Sequence, residues 1–278
     1  MTQRPDHAAP REDPEATAEP PLGPRQLLER IRIVLVEPRG PRNVGSTARA
    51  MHNFGLSDLA VVNGARVDDP EASAMAVTAG GILRAATTDK DLSSALADAT
   101  FVVATTAKRR YRLPTLRPDE AAKRICEEAS RGRVAIMFGR EDHGLDDAEL
   151  RHAHATIAIE TAPECRALNL SQAVLLIAYE LWRAAEARGV VATSSHGRLI
   201  TTQMRERLQE ELLGALRDIG IMHEGTAISC TQSIQRVLAL GPMQTRDARV
   251  LFAFARRIHR LLGDGQDAHP DDDSLLEE

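Results

Sequence analysis

Aromatic side chains make up only 3% of the 278 residues, with one Trp, two Tyr and five Phe. So little ring surface argues against a groove that grips single-stranded nucleic acid by stacking its bases. Cysteine is scarcer still. Cys126, Cys165 and Cys230 stand far apart and form no CxxC pair, which suggests neither a disulfide framework nor a zinc site and fits a reducing compartment. No apolar run approaches the ~20 residues of a membrane span. The first residues are acidic and Pro-rich instead of basic then apolar, unlike a secretory signal, so a cytoplasmic location is expected. Nucleotide loops are missing too. Gly40-Pro41-Arg42-Asn43-Val44-Gly45 fails the G-x-G-x-x-G spacing of a Rossmann oxidoreductase, and no G-x-x-x-x-G-K-[ST] loop of a nucleotide triphosphatase occurs.

What is present is ordinary for a globular chain: 43% hydrophobic and 27% charged residues, and enough length for one good-sized domain plus a smaller one. The formal charge of −5 hides a division. Residues 1–24 carry −3 and residues 264–278 carry −7, which leaves 25–263 at +5. The Pro/Glu/Ala-rich stretch 1–24 and the acidic stretch 264–278 read as disordered. Within the basic middle, Lys108-Arg109-Arg110-Tyr111-Arg112 places four positive charges in five residues. Such a run is a solvated loop or, beside a ligand-binding turn, a seat for phosphates.

From Ile31 to Gly189, strand-like and helix-like segments alternate. Strands are expected at Ile31–Val36, Leu59–Val62, Phe101–Ala104, Val134–Phe138 and Ala155–Ile159. Helices are expected from Val44, after an N-cap at Asn43, to a stop at Gly55, over Pro70–Ala79 running into Gly80-Gly81, and over Asp91–Ala97, Pro118–Arg131 and Asn169–Ala187. This alternation argues for an α/β domain with a mostly parallel sheet over 25–189. A small-residue linker follows at 190–198. The pattern over 199–263 is helical throughout, in three segments, which reads as a small helical extension or, alone, as a helix-turn-helix.

Three strand-to-loop junctions carry polar residues that a core alone does not need. In Glu37–Gly55, Pro41 opens a helix, Asn43 is a plausible N-cap, and Gly45 sits one turn before Arg49. A Gly there costs about 1 kcal/mol relative to Ala. Either it is tolerated in an ordinary amphipathic helix, or its bare backbone leaves room beside the guanidinium. The second junction is Phe138-Gly139-Arg140-Glu141-Asp142-His143-Gly144-Leu145. The third is Ala167-Leu168-Asn169-Leu170-Ser171-Gln172, where Asn169 is a natural N-cap.

Taken together, the three junctions resemble the motifs of the SPOUT class of methyltransferases, and within it the TrmH family of RNA ribose 2′-O-methyltransferases, the TrmJ-type tRNA enzymes above all. Asn43, Gly45 and Arg49 match the first motif; Gly139, Glu141, Gly144 and Leu145 the second; Leu168 and Asn169 the third. The resemblance covers about residues 30–188. It implies an α/β SPOUT fold whose parallel sheet ends in a deep C-terminal trefoil knot, S-adenosylmethionine as cofactor, no metal, and a homodimer with sites at its interface. Cofactor loops are expected at Thr105, Thr106, Ala107, Gly139, Ile159, Arg166, Ala167 and Leu168.

The same resemblance implies methylation of a ribose 2′-hydroxyl in RNA, in the anticodon loop of tRNA first and in ribosomal RNA as the alternative. Arg49 is expected to stabilise the developing alkoxide across the dimer. Asn43 and Asn169 would hold substrate and cofactor in register, and Glu141 would orient Arg49 or the ribose. Arg42, Lys108, Arg109, Arg110 and Arg112 would meet RNA phosphates. Two departures stand out: Ala167 where the family usually has Ser, and His143 where a small, apolar or basic residue is usual. A protein that keeps the fold and binds RNA without efficient transfer is the remaining alternative.

Overall fold

The computed structural model describes residues 22–106, 113–164, 167–190 and 198–262. Seven strands, β1 (Ile31–Val36), β2 (Asp58–Val62), β3 (Thr87–Asp89), β4 (Phe101–Thr105), β5 (Thr115–Leu116), β6 (Val134–Phe138) and β7 (Ala155–Ile157), form one sheet. The order is β3-β2-β1-β6-β4-β7-β5 and every pairing is parallel. A parallel sheet is covered on both faces, and the side-chain alternation of β1 shows how. Ile31, Ile33 and Leu35 point into one apolar cluster, and Val34 and Val36 into the other.

The first cluster is closed by α1 (Pro24–Glu29), α2 (Pro41–Asn53), α6 (Pro118–Ala129) and α8 (Leu170–Arg188), through residues such as Leu27, Met51, Ile125 and Ile177. The second is closed by α5 (Leu92–Leu96) and α7 (Asp147–Leu150). Past the sheet, α9 (Thr202–Asp218), α10 (Ala227–Leu238) and α11 (Thr245–Leu262) share a smaller cluster around Leu208, Leu238 and Phe252.

Several expectations shift. Asn43 is not the N-cap of α2: Gly40 is, Pro41 takes the first helical position, and the Asn43 side chain is released for another partner. The helix expected over 70–79 breaks at Val77, which has φ +53°, so α3 (Pro70–Ala76) stops before it and Gly80-Gly81 begin α4 (Gly80–Ala85) instead of stopping a helix. β3 and β5 are too short to leave a periodic trace. β7 ends two residues before Ile159. The fold reaches back to Leu22, which is only 6% exposed, whereas the acidic segment was expected to run to 24. The rest of that segment, residues 191–197 of the expected linker, and 264–278 lie outside the described residues.

Gly45 has a packing explanation. A Cβ there would stand 2.1 Å from the Ala72 carbonyl oxygen, so the bare backbone lets α3 press against α2. The glycine serves a helix–helix contact, and not an approach to Arg49.

The three C-terminal helices are tied to the sheet through α9. Thr202 Oγ1 donates to the Ala99 carbonyl at 2.8 Å, and buried Arg205 donates to the His152 carbonyl at 2.6 Å. Arg205 also stands 2.6 Å from Nε2 of buried His154, whose Nδ1 accepts from the Val102 N–H at 3.0 Å. Burial, then the neighbouring Arg205 charge, hold the His154 imidazole well below its ordinary value, and burial pushes Arg205 down to about 10.

Two outcomes follow. Gly45→Ala gains helix propensity of about 1 kcal/mol but must separate two backbones, so a net loss of roughly 2 kcal/mol is expected in urea unfolding. His154 is neutral when folded and titrates near 6.5 when unfolded. Its contribution is therefore complete above about pH 6.5 and is lost as pH falls below it. The urea midpoint should drop between pH 7.5 and 5.5, and His154→Gln should flatten that drop.

Candidate active site

The polar junctions lie together at the carboxyl ends of the strands, where open α/β sheets place ligands. A cavity of about 380 Å³ opens there, lined by the ends of β4, β6 and β7 and the entry to α8. Thr105, Thr106, Gly139, Ile159, Ala167 and Leu168, six of the eight expected cofactor residues, line it. Ala107 and Arg166, with Lys108, Arg109, Arg110 and Arg112 of the expected RNA contacts, lie outside the described residues.

Beside it the three motifs are joined by a chain of hydrogen bonds, of which Glu141 lines the cavity while Asn43 and Asn169 do not. Asn169 caps α8, its Oδ1 accepting from the Ser171 N–H at 2.9 Å and from the Ser171 hydroxyl at 2.7 Å. That fixes the amide, whose Nδ2 donates to Asn43 Oδ1 at 3.0 Å. Asn43 Nδ2 in turn donates to Glu141 Oε1 at 2.6 Å, and the Arg39 N–H donates to Glu141 Oε2 at 3.2 Å. Burial alone would raise the Glu141 carboxyl. Hydrogen bonds from Asn43 and from the backbone N–H groups of Arg39, Gly40 and Glu141 itself outweigh it and hold the acid below the usual carboxylate range. The site therefore keeps an anion at neutral pH.

The loop that carries Glu141 is held from behind. Arg140, 10% exposed at its side chain, donates to Glu37 at 2.7 Å and to Glu149 at 2.8 Å, which raises its pKa. At Gly139 a Cβ would lie 2.3 Å from the Gly144 carbonyl carbon, so only glycine lets the loop close on itself. His143 meets Asp142 at 2.6 Å, and Asp142 meets Arg39 at 2.5 Å. Glu37, Arg39, Arg140 and Glu149 were not singled out from sequence. The signal available was charge placed beside Gly and Pro at two strand ends.

Arg49 and Arg42 stand apart. Both are exposed on α2, neither lines the cavity, and Arg49 has no hydrogen-bond or ion-pair partner among the described residues. Near the end of the same helix, Phe54 packs edge-on to Tyr179, with ring centroids 5.7 Å apart, and against Trp182. Together with Leu175 and Leu176 these leave an apolar stripe exposed along α8.

Fold, cavity and sequence define a class. Residues 30–179 match the SpoU rRNA Methylase family, and the chain belongs to it. Among relatives, it is 34% identical over 229 residues to the tRNA (cytidine/uridine-2′-O-)-methyltransferase TrmJ of Salmonella typhimurium, covering 81% of this chain and 94% of that one. It is 41% identical over 163 residues to the Photorhabdus laumondii enzyme of the same name, covering 58% of this chain and 68% of the relative. The match to the Yersinia pestis protein of that name spans 61% of the relative's length. The crystal structure of TrmJ from Z. mobilis ZM4 superposes with a TM-score of 0.72 at 28% identity, covering 82% and 98% of the two chains.

The hydrogen-bond chain has a direct test. Asn43→Asp sets a second carboxylate against Glu141, where like charges resist ionisation. At pH 7 the variant should lose roughly 1–3 kcal/mol, the scale of a broken buried polar contact. The deficit should shrink as pH falls toward about 5 and one acid takes up a proton. Thermal melts of both proteins at the two pH values measure it.

Proposed function

We propose that this chain transfers a methyl group from S-adenosylmethionine to a ribose 2′-hydroxyl of tRNA. The observation that carries the reading is the hydrogen-bonded chain that joins Asn169 and Asn43, from two junctions, to Glu141 of the third, which lines the cavity. Its volume of about 380 Å³ lies in the range of small-molecule sites. Its chemistry fits the cofactor: Ile157, Ile159, Leu168 and Leu170 offer an apolar bed for a purine, and Glu141 and Asp142 offer negative charge to a cationic ligand. Relatives named as tRNA enzymes favour tRNA over ribosomal RNA.

When bound, S-adenosylmethionine supplies an electrophilic methyl on a positively charged sulfur. The chain's part is to orient and to stabilise charge. Glu141, kept ionised, and the amides of Asn43 and Asn169 hold the ribose and the cofactor in register. Arg49 meets the 2′-oxygen as its proton passes to solvent water and the oxygen takes the methyl, with the neutral thioether leaving; a guanidinium is a poor base, so Arg49 acts through its charge. Arg42, Lys108, Arg109, Arg110 and Arg112 bind phosphates. Ala167 brings no hydroxyl to the cavity. The nearest one in sequence, Ser171, is committed to Asn169.

Arg49 lies outside its own chain's cavity, which supports a homodimer in which it serves the partner's site. The exposed Leu175, Leu176, Tyr179 and Trp182 beside Phe54 support α8 as part of that interface. A trefoil knot over β6, β7 and α8 is the accompanying fold reading. Its support is the strand order, which inserts β6 between β1 and β4, and β7 between β4 and β5. No helix among the described residues is long and apolar enough to cross a membrane, and the cytoplasm, where tRNA matures, is the proposed location.

Single-turnover transfer to tRNA tests the reading. Arg49→Ala should bind S-adenosylmethionine nearly as well as the parent, while its transfer rate falls at least about a hundredfold. Arg49→Lys should recover little. Parental transfer by Arg49→Ala at saturating tRNA would sink the assignment. Absence of transfer by the parent itself would leave a protein that binds RNA without modifying it.

A further inference from the structure

One surface is unused by this site. α11 buries Ala248, Phe252 and Ala255 against α9 and turns its opposite side outward. Along that side Arg246, Val250, Phe254, Arg257 and Leu261 recur at helical spacing and form one stripe. Val250 is 68% exposed, Phe254 59% and Leu261 64%. The helix carries five Arg and one Asp. Arg257 has no ion-pair partner among the described residues. The stripe thus offers cations interspersed with apolar surface. RNA phosphates would suit its arginines and leave Val250 and Leu261 wet. A second copy would set arginine against arginine.

We propose that the acidic segment 264–278 of the same chain lies back along this stripe and competes there with RNA. The segment, DGQDAHPDDDSLLEE, has seven acids, no Lys or Arg, and the pair Leu275-Leu276. It therefore matches both classes of group that α11 exposes. Reach is ample. The helix ends at Leu262, and the sixteen residues beyond it can extend to about 50 Å, while the 18-residue helix is about 27 Å long. Tethering so close gives an effective concentration on the order of millimolar, so weak contacts suffice. RNA binding at α11 then has to displace carboxylates. Fewer small cations are released when it binds, and its salt dependence is shallower than that of the same surface laid bare.

The competition rests on the RNA reading above; the docking does not, and the experiment separates them. A fluorescein-labelled peptide of sequence 264–278 is titrated with full-length chain whose own segment carries Asp271→Asn, Asp272→Asn, Asp273→Asn, Leu275→Ser and Leu276→Ser. Saturable binding, weakened about tenfold by adding Val250→Ser and Phe254→Ser, is expected. No saturable binding, or binding indifferent to those two changes, overturns the docking.

tRNA affinity is then measured across a salt series. The chain with only Leu275→Ser and Leu276→Ser should bind several-fold tighter than the parent at low salt, with a steeper salt slope, although its charge is unchanged. If only the acid-to-amide changes alter affinity, simple repulsion accounts for the effect and the proposal fails. Peptide binding without tRNA binding by any variant would count against the RNA reading alone.

Discussion

The grip of Asn43 on the Glu141 carboxylate is the interaction on which the rest depends. It ties the first turn of α2 to the loop after β6, and through Asn43 Oδ1 it reaches the cap of α8. Asn43 and Glu141 are half-buried and Asn169 is exposed, so the bonds order these side chains at the surface more than they offset burial. Because Ser171 presents two donors to Asn169, the direction of every donor along the chain is set from that end. The same bonds that satisfy these groups hold them beside the cavity. Stability and site geometry are here one set of contacts.

Two steric constraints support that arrangement. Gly139 lets the loop fold against Gly144 so that Glu141 faces Asn43, and Gly45 lets α3 press on the helix that carries Asn43. Behind the loop, Arg140 spends its charge on Glu37 and Glu149. Those two acids neutralise the guanidinium, and the carboxylate at the mouth stays the dominant charge. Arg49 has a different character. It is exposed, far along α2, and has no hydrogen-bond or ion-pair partner among the described residues.

The helical part is joined to the sheet by a buried and awkward contact. Arg205 donates to a backbone carbonyl and lies against an imidazole instead of pairing directly with a carboxylate among the described residues. Both groups are pushed toward neutrality by burial. Such a contact makes the position of α9 specific more than it makes it strong.

Much of this was legible in the residues themselves. The runs Ile31–Val36 and Val134–Phe138 read as buried strands because they are short, largely apolar and β-branched, and Pro41 and Asn169 start helices by local stereochemistry. The three polar junctions, and with them Asn43, Glu141 and Asn169, were visible as residues a core does not need.

The tertiary structure decided what those residues face. Asn43 left the cap position because Gly40 took it, and found Glu141 some hundred residues away in sequence. The reason for Gly45 proved to be Ala72, and the clamp of Arg140 on Glu37 and Glu149 spans two strands that are neighbours only in the sheet. Local spacing constrains what a residue can do within a turn or two of helix, where the backbone fixes the distances. Contacts between strand ends depend on strand order, and strand order is a property of the whole packed chain.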